Sequence, residues 1–206
     1  SLTSSTGNNN LGWNPIGNST IKFTGNFDGN NYNISNLFIN RPTQDYIGLF
    51  GYTSSATISN LGLSSVNILG NNYIGGLIGR SHNTNISKTY ISGTINGNNY
   101  IGGLVGENYI IYPSNDTTGI YVRNSYSTAN ISGNNYIGGF VGYNNIDNGV
   151  LYIQNNYASG SVNAIGSNVG GLIGGNYVRY NYAMQLKVEN SYFNTDTTGT
   201  TSSYGG

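Results

Sequence analysis

YIGLFG at 46–51, YIGGLIG at 73–79, YIGGLVG at 100–106, YIGGFVG at 136–142 and NVGGLIG at 168–174 are five copies of one block. Measured at the last glycine, successive copies lie 28, 27, 36 and 32 residues apart. A regular minimum stretched by insertions marks a stacked-repeat fold. One such unit cannot bury its apolar face alone, so neighbouring copies must stack.

Each repeat divides into three short pieces. The glycine block comes first. A second strand of I/V-x-N type follows, as ISNLGL at 58–63, ISKTYI at 86–91, VRNSYS at 122–127, IQNNYA at 153–158 and VENSYF at 188–193. A short alternating piece comes third, such as SVNILG at 65–70 or ANISGN at 129–134, and Gly-Asn-Asn-Tyr turns lead into the next block. Short strands joined by Gly/Asn corners predict an all-β chain, a right-handed parallel β-helix. It would be a three-sided β-solenoid of about six to seven coils, forming a rod about 30 Å long at the usual strand spacing. Helical periodicity is absent. One domain is expected over 1–206, with lead-in coils at 1–45, repeats at 46–189 and a terminal segment at 190–206.

The block poses one difficulty: Leu77 and Ile78 are adjacent and both apolar, whereas strict alternation would turn one outward. A bend at Gly75-Gly76 resolves it, with glycine supplying an unusual φ. Gly76, Gly79, Gly103, Gly106, Gly139, Gly142, Gly171 and Gly174 are the structural repeat glycines. Ile74, Ile78, Ile101, Val105, Ile137, Val141, Val169 and Ile173 should stack as buried ladders.

Composition narrows the function. Charged residues make up 7% of the 206, with seven basic against seven acidic. No basic patch for nucleic acid follows from that balance. Polarity comes from Asn, 37 in all, beside 32 Gly and 19 Tyr. Asn suits turns and left-handed backbone. There is no cysteine, which suits a microbial surface protein without disulfides but does not exclude the cytosol. No apolar stretch is long enough for a membrane-spanning helix. No charged-then-apolar leader precedes Ser1, as expected of a mature form, an excised piece or a protein never secreted.

Insertions at 107–121, 143–152 and 175–187 leave the same corner of three successive coils. Each has two β-prone halves around a turn signal, PSNDTTG, DNG or Asn181, and reads as a hairpin. Side by side they would make a lateral Tyr-rich sheet. Its candidate contact residues are Tyr109, Tyr112, Tyr121, Tyr152, Tyr177, Tyr180 and Tyr182. Tyrosine offers a large amphipathic surface and a hydroxyl, which suits protein or glycan recognition.

The blocks at 75–79, 102–106, 138–142 and 170–174 resemble those of the GLUG-motif repeat proteins. WNPIGN at 13–18, FTGNFDGNNYNISNL at 23–37 and the ending NSYFNTDTTGTTSSYGG at 190–206 are similar to the opening and close of that family. The resemblance covers nearly the whole chain. It implies a secreted or surface-displayed microbial protein, adhesin-like or protease-associated, in which this part is non-catalytic. Two departures from the resembled family are expected to matter: the usual chain ahead of the WNPIG element is absent or reduced to 1–11, and the Tyr-rich insertions exceed the simple repeat.

Catalytic chemistry finds little footing. No phosphate-loop motif G-x-x-x-x-G-K-[ST] occurs. His82 is the one histidine, too few for zinc. Asp116 and Asp147 sit at the tips of successive insertions, where turn formation is the plainer reading. The acids Asp28, Asp45, Glu107, Asp116, Asp147, Glu189 and Asp196 do not recur at a common coil position, as paired carboxylates of a β-helix glycosidase or lyase would. No cofactor and no metal are expected. The leading expectation is an extracellular or cell-surface structural and interaction module. Its partner is a protein or glycan surface ligand, with no nucleic acid and no membrane insertion. The alternatives are a fibre subunit stacking through its end coils by self-association, since neither terminus shows a capping helix or charged edge, and a carbohydrate-active enzyme.

Overall fold

The computed structural model describes residues 8–111, 119–179 and 186–204. It is a β-solenoid with three parallel sheets as its sides. The first side holds Asn72–Gly75, Asn99–Gly102, Asn135–Gly138 and Val169–Gly170. The second holds Phe50–Ser54, Ile78–His82, Val105–Ile111, Val141–Asn148 and Ile173–Val178. The third is a twelve-stranded sheet carrying the second and third pieces of each repeat, from Asn26–Ser35 to Tyr192–Phe193. The five blocks give about five full coils, fewer than the six to seven expected. The lead-in supplies only part of a coil.

The registers are those of ladders. Ile74, Ile101, Ile137 and Val169 pair in sequence on the first side. Phe50, Ile78, Val105, Val141 and Ile173 pair on the second. All are buried except Val169, which is partly buried against the same core. Leu77 and Ile78 are both fully buried. The chain does bend between the first side, ending at Gly75, and the second, starting at Ile78.

The block glycines sit where a Cβ would be disturbed, as structural repeat glycines should, but the bend does not use the unusual φ expected of Gly75-Gly76. None of the block glycines adopts left-handed φ. They are small because backbones meet there. A Cβ on Gly79 would lie 2.6 Å from the Ile47 amide nitrogen and 2.7 Å from the Gly51 carbonyl oxygen. On Gly142 it would lie 2.6 Å from the Gly106 carbonyl oxygen. The left-handed position of the block is the tyrosine before it: Tyr46, Tyr73, Tyr100 and Tyr136 have φ of 61°, 56°, 59° and 58°. The fifth copy places Asn168 there, at φ 60°, a residue that tolerates this region better.

Asparagine bends the chain within the third side. Asn60, Asn124, Asn155 and Asn190 of the I/V-x-N strands have φ between 47° and 56°. Amides also link the coils at the entrance to the first side. Asn135 donates to Asn99 and Asn99 to Asn72, each at 3.0 Å, and Asn72 donates to the Asp45 carboxylate at 3.1 Å.

Both open edges on the second side are partly covered, against the uncapped ends expected. Ile16 and Phe23 of the lead-in bridge to Phe50 and Thr53. The buried Arg41 guanidinium holds this lead-in by donating to the Trp13 carbonyl at 3.0 Å. At the other end a four-residue helix, Thr195–Thr198, brings the chain back, and the amides of Gly171 and Ile173 donate to Ser202 and Ser203. Among the described residues, no helix is long and apolar enough to cross a membrane.

Candidate interaction surface

The corner between second and third sides is built in two ways. In the first two coils it is tight. Ser55 and Asn83 turn the chain at φ 50° and 46°, and the buried hydroxyls of Thr53 and Thr84 bond at 2.9 Å just inside. In the next three coils the strands run on past this point. The added halves are not hairpins. Val105–Ile111 pairs in parallel with Val141–Asn148, and that strand with Ile173–Val178. Across the corner Ile120–Arg123 pairs with Leu151–Gln154, and that with Leu186–Glu189. The physical reason is alternation. Ile110 and Ile146 on one sheet, and Ile120 and Leu151 on the other, are fully or almost fully buried in the main core, joined by Val178 and Leu186. Hairpins would have given those apolar side chains no second layer. The insertions therefore form a wedge, two sheets around an extension of the core.

That arrangement divides the candidate tyrosines. Tyr109 and Tyr177 alternate with Ile110 and Val178, so they lie on the outer face of the second side. Tyr121 and Tyr152 alternate with Ile120, Val122, Leu151 and Ile153, so they lie on the outer face of the third. They do not form one lateral patch, because the core separates them. Tyr112, Tyr180 and Tyr182 lie outside the described residues.

Each face has its own chemistry. On the third side the rings of Tyr121 and Tyr152 stack at 4.6 Å and 8°. The Arg123 guanidinium lies 5.3 Å from the Tyr121 centroid. Lys187 places its ammonium 4.9 Å from the Tyr152 ring and donates to its hydroxyl at 3.3 Å. On the second side Tyr109 packs on the His82 ring at 5.3 Å, with the Arg80 guanidinium 5.0 Å away. Arg80 forms a 2.7 Å ion pair with the buried Glu107. Burial pushes the Glu107 carboxyl up from its ordinary value, while Arg80 and the Asn145 amide pull it back. Tyr177 is 49% exposed.

Two further aromatic rows emerge. The block tyrosines 46, 73, 100 and 136 form a continuous stack with centroids 5.1, 4.8 and 4.8 Å apart. Tyr52 packs on one end and Tyr143 crosses the other at 4.9 Å. Burial, with Glu107 nearby, pushes Tyr73 up to about 12; burial does the same for Tyr143. Stacking of this kind offsets the left-handed backbone at each tyrosine. On the third side Tyr90, Tyr126, Tyr157 and Tyr192 stand in register, and the last three are 43%, 39% and 63% exposed. The signal for this row is in the sequence, since KTY, NSY, NNY and NSY occupy one position of successive second strands.

No protein family matches the chain, and no solved structure matches it. Two local similarities occur among curated proteins. The chain is 41% identical over 86 residues to halomucin of Haloquadratum walsbyi. It is 44% identical over 54 residues to a protein of Evansella cellulosilytica provisionally named a Gly-rich membrane protein. These matches cover 41% and 26% of this chain. They span only 1% and 6% of the two relatives.

Proposed function

We propose that this chain is a non-catalytic structural and interaction module of an extracellular or cell-surface microbial protein, adhesin-like in use. The observation that carries the reading is the wedge. It lengthens three coils, extends their core, and sets Tyr109 and Tyr177 on one face and Tyr121, Tyr152, Arg123 and Lys187 on the other. A purely structural rod would not need the extra strands, since the first two coils close without them. The two similarities support a surface setting, because each falls in a small stretch of a much longer protein and one of those is named a membrane protein. The partner is a protein or glycan surface, with no role for nucleic acid, membrane insertion or cofactor. The test is binding of the labelled chain to a glycan array and to immobilised cell-surface proteins, beside a Tyr109→Ser, Tyr121→Ser, Tyr152→Ser, Tyr177→Ser variant. Binding lost in a variant that keeps its strand spectrum supports the wedge; binding retained moves the contact elsewhere.

One observation favours a second reading, self-association of a fibre subunit through its end coils. On the third side Leu186–Glu189 pairs with Leu151–Gln154 on one edge, and no described strand pairs with its other edge. An unpaired strand edge invites another chain. Sedimentation across a hundredfold range of concentration distinguishes the two: a fibre subunit grows with concentration and a monomeric module does not.

A further inference from the structure

The stacked tyrosines differ in what holds them. Tyr73 and Tyr100 are each sandwiched between two rings and fixed at left-handed φ, and Tyr143 crosses Tyr100 at 5.5 Å. Neither ring can tilt without losing a neighbour on both faces. Tyr121 and Tyr152 are a pair and no more. In register, Tyr121 has Asn85 beyond it, whose side chain accepts the Tyr121 amide at 2.9 Å, and Tyr152 has Lys187. Their rings are the closest of any stacked pair among the described residues, at 4.6 Å and 8°, and both are half-buried, as the block tyrosines are. Each ring also has a cation beside it, the Arg123 guanidinium at 5.3 Å from Tyr121 and the Lys187 ammonium at 4.9 Å from Tyr152.

We propose that Tyr121 and Tyr152 form a site for oxidative coupling, in which a one-electron oxidant of the peroxidase class joins them into a dityrosine staple between the third and fourth coils. Each phenol gives up one electron and its hydroxyl proton to become a phenoxyl radical. The radicals join through one ortho carbon of each ring, forming a carbon–carbon bond. The hydrogen on each joined carbon then moves to the oxygen and restores both phenols. The two electrons and two protons reduce one hydrogen peroxide to two waters, so the chain loses two hydrogens. Such a bond closes the chain between residues 121 and 152 and removes freedom from the unfolded state, as a disulfide would in this cysteine-free protein.

The experiment treats the full chain, dilute, with horseradish peroxidase and hydrogen peroxide, and isolates the monomer. Expected is dityrosine fluorescence, a joined peptide pair containing Tyr121 and Tyr152 with two hydrogens lost, and a melting midpoint raised by roughly 5–15 °C. Tyr152→Phe keeps the ring packing and should abolish the intramolecular product. Tyr90→Phe removes the other stacked pair of the third side, Tyr90 with Tyr126 at 5.3 Å, and should leave the product intact. The proposal is overturned if the product maps to Tyr90–Tyr126 or to the block stack. It is equally overturned if coupling occurs only between chains, or if none occurs while free tyrosine in the same tube is oxidised.

Discussion

The first two coils and the last three solve the same corner with different side chains, and one register row shows how. That row runs Thr53, Ser81, Asn108, Asn144, Asn176. Where the corner is tight, short hydroxyl residues lie against the turn. Where the sheets run on into the wedge, asparagines bridge from coil to coil: Asn108 donates to Asn144 at 2.9 Å and Asn144 to Asn176 at 2.8 Å, inside the fold. The change of style leaves a seam between the second and third coils. Every buried side-chain polar atom found without a hydrogen bond among the described residues belongs to Arg80, Ser81, His82, Glu107 or Asn108. Two of these, Arg80 Nε and Glu107 Oε2, face each other as an ion pair. Ser81 Oγ and Asn108 Oδ1 have nothing equivalent. A polar ladder is stable within a run of like coils and unsatisfied where the run changes length.

The largest effect that would break this comparison is expected in the trunk. A side chain on Gly103 would collide with Ser127 and with the Gly139 carbonyl. Gly103→Val should therefore yield no soluble folded chain, while Gly119→Ala, next to the wedge tip, should fold, since it meets mainly the movable Tyr152 ring. Expression with circular dichroism reads both.

Next comes the wedge ladder. Asn144→Ala strands an amide on Asn108 and a carbonyl on Asn176, and should cost about 2–4 kcal/mol in urea unfolding. Thr84→Val in the tight corner removes the hydroxyl's bonds to Thr53 and to the His82 carbonyl and should cost about 1–2 kcal/mol. Equal losses would mean that the ladder adds nothing to the wedge.

The block stack gives a pH signature. Tyr73 and Tyr143 are held protonated to about 12 in the folded chain, against an ordinary tyrosine value of 10.0. Below pH 10 both states keep the proton, so this preference changes nothing. Between about pH 10 and 12 the unfolded chain ionises first, so stability falls across that window and levels above it. Tyr73→Phe with Tyr143→Phe should flatten the fall. The smallest effect is expected at the exposed Tyr177, where Ser should change stability by no more than about 0.5 kcal/mol.

Much of the trunk is legible in the chain itself. The block spacing places Ile74, Ile101 and Ile137 above one another, and the Gly-Asn-Asn-Tyr stretches read as turns, whereas Asn60, Asn124 and Asn155 read as strand residues and their left-handed φ is seen only in the structure. The role of the glycines is legible only in part: sequence shows that they must be small, but whether φ or a neighbouring backbone demands it depends on the coil above. The wedge is where the reading fails. DNG between β-prone halves is good hairpin chemistry, and nothing local says that Ile146 and Leu151 will each prefer a neighbouring coil to one another. That choice belongs to the stack, which offers both strands a parallel partner already in register. The Tyr90, Tyr126, Tyr157, Tyr192 row was legible, since its tyrosines recur at one position, but it is visible only once the second strands are aligned with each other.

The measurement closest to the central claim uses pairs of spin labels on cysteines introduced into this cysteine-free chain. In the wedge, Tyr109 and Asn145 are register neighbours on adjacent coils, whereas Asn145 and Tyr152 face outward from opposite sheets. Opposed sheets stand about 10 Å apart and outward labels add to that. Labels at 109 and 145 should therefore show strong spin–spin broadening in continuous-wave spectra, and labels at 145 and 152 should show little. Strong broadening at 145 and 152, with little at 109 and 145, would mean that the insertion folds on itself as a hairpin and that the wedge does not exist.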